Sequence, residues 1–176
     1  MGEGMVSQYS RLMDIVHRGC LIVAGGCLLI ITLIIPYGVF TRYVLNSAAS
    51  WPEPLATLLM IVMSFISAVV CYREYLHIGV GVLPAFLNEP YKTALGWLLE
   101  ALMLLTNLFM LWWGLKLVAT TYNQIIPEFP VLSVGISYLP VPLGGGLTIL
   151  FIIERMMKGQ FFQEADAETV STLTTE

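Results

Sequence analysis

The chain has 176 residues, of which 57% are hydrophobic and 11% are charged. Soluble domains usually have about 25% charged residues, so this composition excludes an ordinary soluble domain and indicates an integral membrane protein. The formal net charge of −4 comes largely from the C-terminal segment, and no basic patch indicates nucleic-acid binding.

Residues 1–18 have a helical pattern of their own. Apolar residues recur at three- and four-residue steps, which marks one face of a helix. One interpretation is an amphipathic helix lying in the membrane interface. The alternative is a simple extension of the first spanning helix, and the sequence does not separate the two. The apolar face contains Met5, Tyr9, Leu12, Met13 and Val16, and the polar residues mostly off it are Gln8, Arg11, Asp14 and Arg18.

Four apolar stretches are long enough to cross a membrane, because a transmembrane helix needs about 20 mostly apolar residues. They cover residues 19–41, 54–72, 93–120 and 131–153, and two prolines and three glycines interrupt the fourth. A β-barrel would show short alternating segments instead. We therefore predict an all-α membrane protein with four transmembrane helices.

This pattern divides the chain into three parts. The N-terminal segment covers residues 1–18, and the four-helix transmembrane domain covers residues 19–158. Residues 159–176 are acidic and polar, so they are predicted to be disordered.

The placement of lysine and arginine predicts the orientation of the helices. Arg42 and Lys116 lie on one side of the predicted membrane, and six cations lie on the other. Both termini are therefore predicted to be cytoplasmic, and the loop between the first two spans is predicted to lie on the outer face. The six cations are Arg11, Arg18, Arg73, Lys92, Arg155 and Lys158.

Side chains that carry catalytic or cofactor chemistry are scarce. His17 and His77 lie near the predicted cytoplasmic boundary, not inside the spans where haem ligands would be expected. Cys20, Cys27 and Cys71 form no C-x-x-C motif, so we interpret them as small apolar packing residues. The sequence shows no nucleophile triad, phosphate loop or metal pattern. We expect no enzymatic activity and no cofactor in this chain.

Several polar and aromatic residues fall within the third span. Glu100 and Lys116 are 16 residues, or about 24 Å, apart along a helix, and each is expected to extend to its own membrane surface. Asn107 lies between them and should face another helix, either within the chain or in a partner subunit. Trp112 and Trp113 point about 100° apart, so at least one should face lipid or a partner.

The loop after the first span contains the segment RYVLNSAASWPEP. Arg42 ends one span and Glu53 begins the next, so a partly desolvated ion pair between them would hold the first hairpin together. An ordinary pair of charges without mutual contact is the alternative. Trp51 suits the interfacial belt, and Pro52 and Pro54 suit the start of a helix.

The order of three motifs resembles the DctQ-like small membrane subunit of tripartite ATP-independent periplasmic (TRAP) transporters. The motifs are RYV after the first span, WPE in the loop and YREYLHIGVGVLP after the second span. Pro54 and Gly81 stand where the family usually has acidic residues, which puts any role at those two sites in doubt. The matching residues are Arg42, Tyr43, Trp51, Glu53, Arg73, His77, Ile78 and Val80.

The resemblance implies a scaffold subunit of the bacterial inner membrane. It would bind a large multi-span carrier subunit 1:1, receive a periplasmic substrate-binding protein and leave the sodium ions to the carrier, which would import an organic acid. Arg73 and His77, four residues apart on one helical face, would then cap the carrier interface or bind lipid phosphate. Positive-inside anchoring explains Arg73 equally well.

Two other functional classes stay open for this chain. A self-sufficient small homodimeric exporter would need an acidic residue within a span for coupling, and Glu100 alone qualifies, near an edge. A structural membrane subunit of a redox complex would show bound haem or quinone.

Overall fold

In the computed structural model, the described residues are 2–47, 49–74, 89–126 and 129–158. Four helical segments are long and apolar enough to cross a membrane, which confirms the predicted all-α fold with four transmembrane helices. His77, Gly81 and the segment 159–176 lie outside the described residues. The helices are α1 (Gly2–Tyr43), α2 (Pro52–Arg73), α3 (Glu89–Thr121), α4 (Val134–Tyr138) and α5 (Pro140–Lys158), and the strands are β1 (Ile125–Ile126) and β2 (Phe129–Ser133).

Helix α1 joins the N-terminal segment and the first predicted span in one helix of 42 residues. At 1.5 Å per residue it is about 63 Å long, roughly twice the thickness of the hydrocarbon layer. Near its start, Met13 belongs to the core, and Tyr9 and Val16 pack against it. Part of the apolar face of this segment is thus used within the chain, while Leu12 is exposed and the position of the segment at the membrane interface stays a prediction.

The fourth predicted span begins later than expected. Its predicted start at residue 131 is wrong, because Phe129–Ser133 pairs as an antiparallel strand with Ile125–Ile126. Ser133 then caps α4, since its hydroxyl accepts a hydrogen bond from the Gly135 amide at 3.1 Å. The predicted break falls at Leu139, between α4 and α5, and the three glycines continue inside α5.

The long helices pack as an open row in the order α1, α2, α5, α3, and the N-terminal part of α1 also contacts α5 directly. Helix α5 therefore lies between α2 and α3, and α1 and α3 form the two edges without extensive mutual contact in the part of the chain described. The core lies toward the end predicted to be cytoplasmic. It contains Met13, Cys20, Ile66, Val69, Val70, Tyr72, Phe151 and Ile152.

Glycines allow two close contacts in the outer half of the row. A Cβ atom at Gly114 of α3 would lie 2.9 Å from Cδ of Pro142 in α5, and one at Gly38 of α1 would lie 3.2 Å from Cβ of Pro52 in α2. Small residues let transmembrane helices approach in this way. Close packing of prolines against glycines therefore holds the helices together in this half of the row.

Candidate functional site

The predicted cytoplasmic end of the row contains a network of charged side chains centred on Arg73 of α2. Its guanidinium donates to Asp14 of α1 at 2.6 Å and to Glu154 of α5 at 3.2 Å. Lys158 of α5 donates to Glu154 at 2.6 Å and to the Ser10 hydroxyl of α1 at 2.9 Å. Charge-assisted hydrogen bonds thus connect three helices. None of the roles predicted for Arg73 included these ion pairs.

A second cluster connects α2, α3 and α5. Arg155 of α5 donates to the Glu100 carboxylate of α3 at 3.0 Å, and the Tyr72 hydroxyl of α2 also donates to that carboxylate. The Arg155 guanidinium lies 4.2 Å from the centre of the Tyr72 ring, in cation–π geometry, and donates to the Tyr72 carbonyl. A planar guanidinium suits this combination of carboxylate and ring contacts.

The prediction that Glu100 extends to the membrane surface is wrong. Its side chain is 5% exposed, and that of Arg155 is 12% exposed. A buried carboxylate needs a partner to offset the loss of hydration, and Arg155 and Tyr72 supply two. Glu100 therefore points into the bundle as a structural link between helices.

A cleft of about 270 Å³ lies beside both clusters. His17 of α1 faces it, with Nε2 at 3.1 Å from the Glu74 carboxylate at the end of α2. The angle is not that of a hydrogen bond, and both ring nitrogens of His17 are buried without hydrogen-bond partners among the described residues. The described part of the chain contains no group of three or more His, Cys, Asp or Glu residues able to hold a metal ion.

At the opposite end of the row, Arg42 and Glu53 lie close to each other, as one of the two interpretations predicted. Nη2 of Arg42 is 3.5 Å from Oε2 of Glu53. The predicted partial desolvation is wrong, because the side chains are 54% and 82% exposed. Apolar contacts join the two helices here: the Tyr37 and Trp51 rings lie 5.6 Å apart, next to Pro52.

Asn107 is buried, as its predicted position facing another helix requires. Its side-chain amide donates to the Met103 carbonyl of its own helix at 2.8 Å. A Cβ atom at Gly145 of α5 would lie 3.0 Å from the Asn107 carbonyl, so α5 packs directly on this turn of α3. Asn107 therefore belongs to packing within the chain.

Trp112, Trp113 and Lys116 form an exposed group near the outer end of α3. The Lys116 ammonium lies 5.4 Å from the Trp112 ring centre and 4.8 Å from that of Trp113. Both tryptophans are exposed, as the prediction requires, and their contact with lipid or a partner stays a prediction. Tyr43, at the outer end of α1, is also exposed.

Sequence reasoning missed the residues that pair with the predicted ones. Asp14, Tyr72 and Glu154 were assigned no pairing, and Arg155 was used only as an indicator of orientation. A usable signal was present: acidic residues stand at the same predicted membrane level as cations on other helices. Their separations of 55 to 81 residues along the chain hid the pairing.

The arrangement links helices and leaves wide apolar faces uncovered. The charged side chains inside the row contact each other, and large apolar side chains along both edges are exposed. Such faces match lipid tails or another membrane subunit.

The profile of one protein family, described as tripartite ATP-independent periplasmic transporters, DctQ component, matches residues 31–161. No match to a curated protein was found. The family is a transporter component and not an enzyme family, and it implies a tripartite system with a large carrier and a periplasmic binding protein. With most of its length matched and four helices that can span a membrane, the chain belongs to the DctQ family of small, multi-pass inner-membrane subunits of TRAP transporters.

Proposed function

We propose that this chain is a scaffold that binds the large carrier subunit 1:1 and helps a substrate-loaded periplasmic protein to dock, so that the carrier imports an organic acid with sodium ions. The observation that carries this proposal is the open row. Because α1 and α3 are edge helices with exposed apolar faces, a second membrane subunit has a preformed surface to pack against.

The internal charges favour a scaffold over a self-sufficient exporter. An exporter would need a free acidic residue within a span for ion coupling, and Glu100 is held by Arg155 and Tyr72. A carboxylate already occupied by a guanidinium and a hydroxyl is poorly suited to exchange protons or cations. Transport therefore belongs to the partner subunit.

The outer loop is the proposed contact for the binding protein. Arg42 and Glu53 are exposed, and Trp51, two residues before Glu53 in the sequence, has its ring against Tyr37. Exposed charges at the rim of an interface speed association more than they add affinity, which suits a protein that docks and leaves repeatedly.

The decisive experiment measures sodium-driven uptake in proteoliposomes that contain the carrier and the binding protein, with and without this chain. We expect uptake only when all three proteins are present. Full uptake without this chain would contradict the scaffold role, and uptake by this chain alone would contradict the whole assignment.

Two matched variants locate the carrier contact. Leu33→Asn places a polar group on the exposed face of α1, and Leu105→Asn does so on the exposed face of α3. We expect one of them to abolish co-purification with the carrier while both chains are still made. Co-purification of both variants at the wild-type level would exclude both edges as the contact.

A further inference from the structure

Two arginines on α1 differ from the cations inside the row. Arg73, Arg155 and Lys158 each contact a carboxylate. Arg11 and Arg18 are exposed and have neither a hydrogen bond nor an ion pair with any described residue. The acid between them in the sequence, Asp14, accepts a hydrogen bond from Arg73 at 2.6 Å, and its carboxylate also attracts Arg18 at longer range.

The two arginines lie on one face of α1, turned away from the row. Arg11, Ile15, Arg18 and Ile22 follow at steps of four, three and four residues, which places them in a single stripe. Arg11 and Arg18 are about 10 Å apart along the axis. Ile15 and Ile22 are 68% and 74% exposed, so the stripe combines cations with apolar side chains.

The helix surface next to Arg18 is open. A Cβ atom built at Gly19, Gly25 or Gly26 would meet no other atom within 4 Å. These glycines leave a shallow apolar track beside Ile22, on the membrane side of the two arginines. An acyl chain fits such a track, because it needs apolar contact and no hydrogen bonds.

We propose that Arg11, Arg18 and the glycine track form a binding site for an anionic phospholipid. Guanidinium groups bind phosphate oxygens through paired N–H donors. A headgroup phosphate at the arginines places its acyl chains along Ile22 and the glycines. The positive-inside rule places this end of α1 at the cytoplasmic surface, where the membrane potential and anionic lipids favour cations.

The site is independent of the proposed scaffold role. Both arginines precede residue 31, where the family match begins. The charges also distinguish this edge from α3, whose exposed face has Trp112 and Trp113 with Lys116 above their rings. Lys116 contacts the tryptophan rings of its own helix, whereas the Arg11 and Arg18 guanidiniums make no hydrogen bond or ion pair with a described residue and can take one with an anion.

The test is native mass spectrometry of the full chain in detergent with equal amounts of dioleoyl phosphatidylglycerol and dioleoyl phosphatidylcholine. We expect the wild type to retain one phosphatidylglycerol preferentially. Arg11→Gln with Arg18→Gln should reduce that preference about 25-fold, since each surface cation contributes about fivefold. Arg11→Lys with Arg18→Lys should retain more phosphatidylglycerol than the glutamine variant, because the charge is kept.

The matched control is Arg42→Gln with Lys92→Gln, which removes the same net charge elsewhere. Circular dichroism of each variant verifies that the helices are intact. An unchanged preference in the Arg11 and Arg18 glutamine variant would overturn the proposal, and so would an equal loss in the control. Loss of carrier co-purification with lipid preference unchanged would assign the stripe to the protein partner and also overturn it.

Discussion

The two ends of the helix row use the same ion-pair chemistry in different surroundings. At the predicted cytoplasmic end, Arg155 and Glu100 are nearly buried and meet at 3.0 Å. At the outer end, Arg42 and Glu53 are exposed and meet at 3.5 Å. Exposed pairs contribute about 0–1 kcal/mol, whereas removing one partner of a buried pair costs about 3–5 kcal/mol.

This difference shows that different interactions stabilise the two ends of the row. The inner end depends on complete pairing, because each buried charge is stable only while its partners remain. The outer end depends on close apolar contact, with Gly38 against Pro52 and Gly114 against Pro142. The exposed ion pair between the last turn of α1 and the first turn of α2 is therefore not what holds the first hairpin.

The largest expected effect comes from breaking the buried pair. Arg155→Leu leaves the Glu100 carboxylate buried without its guanidinium, and we expect the free energy of unfolding to fall by about 3–5 kcal/mol. SDS-driven unfolding in mixed micelles, followed by circular dichroism, measures this change. Arg42→Leu is the matched control and should cost less than about 1 kcal/mol. Equal costs for the two arginines would remove the distinction between the ends.

A double variant tests whether the ion pair itself accounts for this loss of stability. Arg155→Leu combined with Glu100→Leu replaces both charges by apolar side chains, and it should recover most of the lost stability. Failure to recover would mean that Arg155 acts mainly through its contacts with Tyr72 and not through the ion pair.

A medium effect is expected at the Gly114–Pro142 contact. Gly114→Ala places a methyl group 2.9 Å from Cδ of a rigid proline ring, and overpacking of this kind costs about 1–3 kcal/mol. Gly25→Ala is the control, because its methyl group meets open space and helix propensity favours alanine. The same unfolding assay should show a loss for Gly114→Ala only. A loss of the same size for both would indicate a general effect of the methyl group.

The smallest effect is expected from charge reversal in the outer loop. Arg42→Glu and Glu53→Arg should each lower the free energy of unfolding by less than about 1 kcal/mol, and the double swap should restore it. Because both side chains are exposed, added salt should reduce the difference further. A cost of several kcal/mol for either single change would place this pair in the same class as Arg155 and Glu100.

Helix number was predictable from the sequence, because apolar runs of sufficient length have few other structures available in a bilayer. The bounds of α2 came within two residues, since Pro52 and Arg73 bracket an uncharged run. The start of α4 was not predictable, because the apolar run at residues 129–132 suits a strand and a helix equally. The pairing of β1 with β2 determines that these residues form a strand.

The ion-pair network was the least predictable part of the site. Rules for membrane sequences treat each cation as an indicator of orientation, and they assign it no partner. Arg73 and Glu154 are 81 residues apart in the chain, and their contact depends on α5 lying beside α2. The position of α5 beside α2 depends on the packing order of the row, and no local pattern in the sequence predicts that order.

The insertion of α5 between α2 and α3 also has a consequence for biosynthesis. Helices α1 and α2 pair with each other, so they can associate as soon as both have left the ribosome. Helix α3 packs mainly on α5, and Glu100 is made 55 residues before Arg155. At about 5–20 residues per second, that carboxylate waits roughly 3–11 s for its guanidinium. During that interval α3 is an inserted helix whose packing partner has not yet been synthesised.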